Sequence, residues 1–366
     1  MGDHARLAPS AWARWSTCPG SVSLIEQHKD RLYRPESPLS AGHRGTVIHK
    51  VSEVCLSQER APMEYVGRSI SNYTLTQEDC AMATQYVDAI REIDKEMRVS
   101  MYEERVNISP ECWGTADYIG IKDRTLLIAD LKTGVIPVDP NSGQLKLYSL
   151  GGFLEHDWLY EFDTIVNGIF QPAVSDRLQT VKLKRDDIMR FHDEALEAIE
   201  RVNTQSGLLQ PSDAACRWCP AINICPMHID AANKAAATDF ASVPHQTDDE
   251  LSTWLDVLPL LKRFISAIED ESLYRLSQGR MIKGYKLGTG RRTREWANAE
   301  RVSEWLSTRG IEPDLLYESI MLSPAKLEKR LKSHGITSSD INELIQYKEG
   351  NPKLIRDTSS DDFSDV

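Results

Sequence analysis

Two strand-like stretches, WGTADYIGIK at 113–122 and TLLIADLKTG at 125–134, stand back to back across the turn Lys122-Asp123-Arg124. Side chains alternate faces along a strand, so Asp130 and Lys132 share one face, about 6.6 Å apart. Leu127, Ala129 and Leu131 share the other and point toward a core. Asp117 comes from the neighbouring strand. Two carboxylates and an ammonium on one half-buried surface cost desolvation free energy unless something compensates them. A divalent cation between the carboxylates does so and leaves the lysine to steer a water or a phosphate. The stretch therefore implies antiparallel strands in a sheet with a metal-binding edge.

Alone, an Asp-x-Lys is weak, because it occurs by chance in most long chains. Its neighbours strengthen it. Upstream, a helix over Gly45–Gln58 carries Val47, Val51 and Val54 on its apolar stripe and Thr46, His49, Lys50 and Glu53 on another face. A second helix spans 76–96, and MYEERVNIS at 101–109 reads as a third strand, which makes an antiparallel meander. Glu103 on that strand is a further candidate carboxylate, balanced against an ordinary exposed strand glutamate. Downstream, Gln144 and Tyr148 lie one turn apart on a helix that starts at Ser142. Imidazole suits a Mn²⁺-type site and carboxylates suit Mg²⁺ or Mn²⁺. TIVNGIFQP at 164–172 reads as another strand and 185–203 as another helix.

The chain has 366 residues, 41% hydrophobic and 27% charged, which is ordinary for a soluble globular protein. No apolar run reaches the roughly 18 residues of a membrane helix. The N-terminus lacks a signal-peptide core, so a reducing compartment is expected. The net charge of −12 argues against a general nucleic-acid coat. It leaves room for a nuclease, whose channel needs only local positive potential.

Seven cysteines in such a chain do not suggest a disulfide framework. Cys216, Cys219 and Cys225 form a compact run without a close fourth, and Cys18, in its own CPGS turn, is the natural partner. One-plus-three asymmetry favours an iron–sulfur cluster over a zinc ribbon with two matched knuckles. Zinc stays open as the alternative, with His228 as a further donor. Cys55, Cys80 and Cys112 read as small core residues.

A polar stretch near 238–248 marks a domain boundary. Beyond it lie one long amphipathic helix, a hairpin turning at Gly288-Thr289-Gly290, several short helices and an acidic tail. The hairpin is basic, with Lys283, Lys286, Arg291, Arg292 and Arg294, and is the candidate contact to a DNA backbone. A charged edge that blocks strand pairing is the equally weighted alternative.

The series His49, GTAD with Asp117, Asp130-x-Lys132 and Gln144-x3-Tyr148 resembles the RecB-like branch of the PD-(D/E)xK nucleases. The one-plus-three cysteines resemble its iron–sulfur members, such as the AddB-type helicase–nuclease subunit and the CRISPR adaptation exonucleases. APSAWARWSTCPGS, IADLKTG, QLKLYSLG, IFQP, CRWCPAINIC and GYKLGTGRRTREW further resemble an uncharacterised family common in phages and prophages, so the likeness covers almost the whole chain. It implies an α/β, restriction-endonuclease-like core, a central mixed sheet flanked by helices. Residues 1–237 would form the nuclease domain with its iron–sulfur staple, 249–356 a mainly helical region with the basic hairpin for DNA engagement, and 357–366 a disordered acidic tail.

The resemblance also implies roles. His49, Asp117, Asp130 and the main-chain carbonyl of Leu131 would bind Mg²⁺ or Mn²⁺, Lys132 would orient or activate water, and Gln144 and Tyr148 would contact the DNA strand. Cys18, Cys216, Cys219 and Cys225 would hold a [4Fe–4S] cluster. The activity implied is a metal-dependent DNA exonuclease of phage recombination or DNA processing, alongside a single-strand annealing or recombination protein in the cytoplasm of an infected or lysogenic bacterium. A structure-specific endonuclease and a non-catalytic DNA-binding subunit are the alternatives. A homo-oligomer is compatible with this reading, though nothing in the sequence requires one.

Overall fold

The computed structural model describes residues 5–32, 40–236, 247–296, 298–312, 315, 317–318, 320–321, 323–331 and 336–356. The chain divides into two compact units, Met1–Leu261 and Lys262–Val366. Of the stretch read as a linker, 238–248, residues 238–246 lie outside the described residues.

The first unit is built on five strands: β1 (Val99–Ser109), β2 (Cys112–Lys122), β3 (Thr125–Leu131), β4 (Thr164–Phe170) and β5 (Gln179–Lys184). They lie in sequence order, antiparallel except for the parallel pair β3–β4, so the sheet is mixed. The β2–β3 turn is tight, with Lys122 opposite Thr125 and Asp123 at a φ of 51° that aspartate tolerates better than most residues. β3 and β4 run parallel because helix α4 (Gly143–Tyr160) crosses between them. The edge strand β5 escaped the sequence reading, because QTVKLK alternates between half-buried and exposed positions and carries little apolar signal.

Helices cover both faces. α4 and α5 (Arg185–Thr204) pack on one, in a core that includes Ile119, Leu126, Ile128, Leu150, Phe153 and Ile165. α2 (Ala41–Ser57) and α3 (Gln77–Asp94) pack on the other, with Ile48, Val51, Tyr86, Leu127, Ala129 and Leu131. This corrects the half-buried surface expected from the sequence. β3 is buried on both sides, as parallel pairing demands, and Asp130 is only 3% exposed. α2 also begins four residues before the expected Gly45, because Ser40 caps it by accepting the His43 N–H. Ahead of these elements and of helix α1 (Gly20–Gln27), the segment from Pro9 to Cys18 is wedged against α4. Gly143 leaves room for the Trp12 indole, which a Cβ at that position would overlap, and Trp12 packs on Trp15 and Phe191.

α2 and α3 are joined by a buried carboxylate. Asp79 accepts from the Thr76 N–H at 2.8 Å, the Thr76 hydroxyl at 2.7 Å, the Tyr73 hydroxyl at 2.9 Å and Arg44 Nε of α2 at 2.5 Å. Burial alone would raise its pKa, but the Thr76 and Arg44 donors hold it below the usual value. Asp79→Asn should therefore cost about 2 kcal/mol at neutral pH, read as a lower urea midpoint. Because the folded-state pKa is depressed, this contribution is present above the unfolded value near 4 and is lost as pH falls through the folded one. The gap between variant and parent should close in acid; a gap that persists would deny the charge its role.

The second unit contains β6 (Tyr285–Trp296), β7 (Ile345–Arg356), α8 (Ala299–Ser307) and α9 (Pro324–Leu331). The long helix α7 (Asp248–Ser277) follows α6 (Pro226–Ala236) of the first unit and contains the boundary between the two units. The expected hairpin is corrected here. β6 runs straight through Gly288-Thr289-Gly290 and pairs antiparallel with β7, with register shifts beside Gly290 where a turn was expected. Helices still supply most of the described residues of 249–356, beside the β6–β7 ladder, with Val302, Leu306, Leu327, Leu331 and Leu344 in the core. The acidic tail, 357–366, lies outside the described residues. Among the described residues no helix is long and apolar enough to cross a membrane.

Candidate functional site

The site forms where the sheet splits. β2 and β3 are paired up to Tyr118 and Ala129; one step further would set Asp117 opposite Asp130. There the strands part, while β3 stays paired with β4 through Leu131 and Phe170 and Lys132 N–H donates to the Phe170 carbonyl at 2.9 Å. The Leu131 N–H, left without a strand partner, donates instead to Asp117 Oδ2 at 2.6 Å. A carboxylate takes the place of a main-chain acceptor.

At the same level β1 and β2 exchange faces. Met101 packs with the α4–α5 core and Tyr102 with the α2–α3 core. Beyond Glu103, the even-numbered Val106 and Ile108 lie in the α4–α5 core. β2 does the same around Asp117, with Tyr118 on the α2–α3 side and Ala116 on the other. Glu103 has a φ of 49°, a left-handed backbone costly for a glutamate. The kink aims its carboxylate at the α2 side without breaking the β1–β2 register, in which Tyr102 faces Tyr118 and Glu104 faces Ala116.

His49 of α2 meets both acids. Its Nδ1 lies 3.0 Å from Asp117 Oδ1 and 3.9 Å from Glu103 Oε1, and the donor atoms of His49, Glu103 and Asp117 all fall within 4.8 Å of one another. Burial alone would lower the His49 pKa, but Asp117, with Asp130 and Glu103, pushes it up to about 9. Burial and the Asp117 charge push Glu103 up to about 7 against the pull of His49. Burial raises Asp130 to about 6 despite Lys132. The carboxylates crowd one another in a low-dielectric place, the condition that a cation relieves.

On the α4 side, Lys132 Nζ lies 2.8 Å from Asp130 Oδ2 and donates to Gln144 Oε1 at 3.2 Å, and Gln144 Nε2 donates to the Tyr148 hydroxyl at 3.0 Å. Asp130 Oδ2 is buried and meets Lys132 as an ion pair. The sequence grouped Asp130 with His49 and Asp117; the structure groups Glu103 with them and gives Asp130 to Lys132. Leu131 enters through its N–H. Sequence reasoning gave Gln171 no role, although IFQP contains it. Its Nε2 donates to the Gly134 and Ile136 carbonyls at 2.6 and 2.8 Å and its Oε1 accepts the Val138 N–H at 3.1 Å, fastening the loop that follows Lys132.

Cys18, Cys216, Cys219 and Cys225 line one small, apolar cavity together with His228. Gly20 sets the near wall: its N–H donates to the Leu208 carbonyl at 2.8 Å, and a Cβ would come within 2.7 Å of that oxygen. Gln210 N–H lies 3.2 Å from Cys18 Sγ and His228 Nε2 lies 3.3 Å from Cys216 Sγ. Arg14 sits beside them. Burial lowers its pKa, while Cys219 and Cys18 favour its charged form.

In the second unit Lys283 and Lys286 are exposed. Arg294 is engaged by Glu328, Nη2 to Oε2 at 2.9 Å, and so is committed within its own unit. The side chains of Arg291 and Arg292 lie outside the described residues.

A family model covers residues 4–362. The chain belongs to the DUF2800 family. Its description is that of a protein of unknown function. Among solved structures, this DUF2800 chain is similar to a candidate exonuclease from Eubacterium rectale, at 11% identity over 57% of this chain and 84% of that one, with a TM-score of 0.34. It is also similar to the protein SSO0001, at 16% identity over 57% and 94%, with a TM-score of 0.26. Likeness at that level carries no argument about activity, which rests on the site itself.

Proposed function

We propose that this DUF2800 protein is a metal-dependent deoxyribonuclease, acting as an exonuclease on phosphodiester bonds. One observation carries the reading: His49, Glu103 and Asp117 converge within 4.8 Å beside an Asp130–Lys132 pair, at the point where two strands separate. The donor set, one imidazole and carboxylates, suits Mn²⁺ or Mg²⁺, and the buried Asp130 Oδ2 supplies further negative potential. When bound, a divalent ion supplies charge against the negative charge that builds on the phosphoryl oxygens, and a more acidic water. Lys132 presents its ammonium to the phosphate and to the entering oxygen. Asp130, Gln144 and Tyr148 hold it there, and burial raises the Tyr148 pKa, which keeps the phenol a donor. Asp117 keeps the strands apart and orients His49.

The cysteine cavity supports a second part of the reading, a [4Fe–4S] cluster held by Cys18, Cys216, Cys219 and Cys225. Four thiol donors with the half-buried Arg14 guanidinium nearby fit a group that carries net negative charge. Its role is structural, since it joins the ends of the first unit. The setting that fits such an enzyme is phage recombination or DNA processing.

The nuclease reading is tested with end-labelled linear DNA and closed circular DNA, in Mn²⁺ or in EDTA. An exonuclease shortens the linear DNA and spares the circle, and EDTA stops it. Cleaved circles would make it an endonuclease, and binding without cleavage a non-catalytic DNA-binding protein. Cation affinity should also depend on pH. His49 holds its proton below about 9 and Glu103 below about 7, and a ligand must shed its proton to bind metal. Mn²⁺ binding should tighten as pH rises from 6 to 8 and release on the order of one proton, measured by calorimetry in buffers of different ionisation enthalpy. A flat profile would remove these two residues from the ligand set.

A further inference from the structure

The face exchange at Glu103 and Asp117 has a second product. Val106, Ile108, Cys112 and Ala116 are in the α4–α5 core, so the residues between them lie on the opposite face, which Glu103 and Asp117 share. Those residues are Arg105, Asn107 and Thr115, all exposed, and the partly exposed Trp113. Arg105 faces Thr115 and Asn107 faces Trp113 across the ladder, which makes Arg105 and Trp113 diagonal neighbours. The Arg105 guanidinium lies 3.7 Å from the centre of the Trp113 ring, and its Nε donates to Asn107 Oδ1 at 3.2 Å. Among the described residues no carboxylate pairs with Arg105, and its recorded contacts are the Trp113 ring and Asn107.

A flat cation stacked on an indole therefore stands at the surface, beside a cluster of carboxylates. Trp113 is four residues from Asp117, about 13 Å along the strand. A cation there does not neutralise the cluster; it offers a π-surface and a charge to something that reaches both places. Nucleobases stack on indole and guanidinium planes, and their phosphates pair with arginine. A base offers its whole face only when it is unpaired.

We infer that Arg105 and Trp113 form a stacking platform for a base of single-stranded DNA, about one or two nucleotides from the phosphate at the carboxylate cluster. This rests on the nuclease reading above and adds the substrate class. The platform fixes the strand's register, so its loss weakens binding without altering the groups at the scissile bond.

The test uses full-length Asp117→Asn protein, which leaves DNA intact, and the anisotropy of a labelled oligodeoxythymidylate. Trp113→Ala should raise Kd about tenfold or more, and Trp113→Phe should restore most of it. Abasic spacers walked along the oligonucleotide should weaken binding at one or two positions, and Trp113→Ala should erase that dependence. The spacers leave the protein unchanged, so the second measurement stands even if the variant is less stable. An unchanged Kd, or an abasic profile that survives Trp113→Ala, overturns the inference and leaves the pair as a hairpin-stabilising contact. If wild-type protein neither binds nor cuts any DNA, the nuclease reading falls first and takes this one with it.

Discussion

Asp117→Asn should reduce metal-dependent cleavage by on the order of a thousandfold while leaving the fold intact. Asparagine keeps one oxygen to accept the Leu131 N–H, which Asp117 takes at 2.6 Å, and loses the charge that faces His49 and the cation. Asp117→Ala goes further, because the buried Leu131 N–H loses its acceptor, at a cost of about 1–3 kcal/mol. Lys132→Ala separates binding from turnover. Mn²⁺ affinity should survive, since Lys132 is no ligand, and the cleavage rate should fall by about a hundredfold. Wild-type rates in either the Asn or the Lys132→Ala variant would sink the assignment of the site.

Cys18→Ser should have the largest effect on stability. Cys18 is separated by roughly 200 residues from the other three cysteines that line its cavity. A group bound by all four stabilises only the folded chain, by several kcal/mol or more. Anaerobically purified wild type should be brown, with about four irons per chain. Cys18→Ser should be nearly colourless and melt far lower. Cys112→Ser, another buried cysteine but outside that cavity, should lose about 1–2 kcal/mol and keep its iron. Colourless wild type with one stoichiometric zinc would overturn the cluster and leave a zinc staple.

The meander, helices α2–α5 and their order were legible because short polar turns such as Lys122-Asp123-Arg124 separate the apolar stretches; the 3.6 period is clear in α5 and faint in α4. His49, Asp117, Asp130, Lys132, Gln144 and Tyr148 stood out because spacing alone put them on suitable elements. Glu103 was legible only as a candidate carboxylate, balanced against an exposed strand glutamate; its place beside His49 was not. That place depends on one left-handed backbone angle, at which the strand changes faces between Met101 and Arg105. β6 was misread for the opposite reason: Gly288-Thr289-Gly290 satisfies local turn rules, but the partner strand begins at Ile345, far along the chain. Local chemistry predicts a hairpin; the non-local ladder overrides it.

The wedge from Pro9 to Cys18 acts as a strut between two different chemistries. One end is the cysteine that closes the sulfur cavity. Along its length, Trp12 lies against Gly143, the residue before Gln144, whose amide holds Lys132. Release of Cys18 would loosen the seat of α4 and, through Gln144, the aim of the ammonium. Were the proposed cluster and the proposed nuclease both present, loss of the cluster would reach the ammonium through Trp12, Gly143 and Gln144 while every residue of the His49, Glu103 and Asp117 group stayed in place.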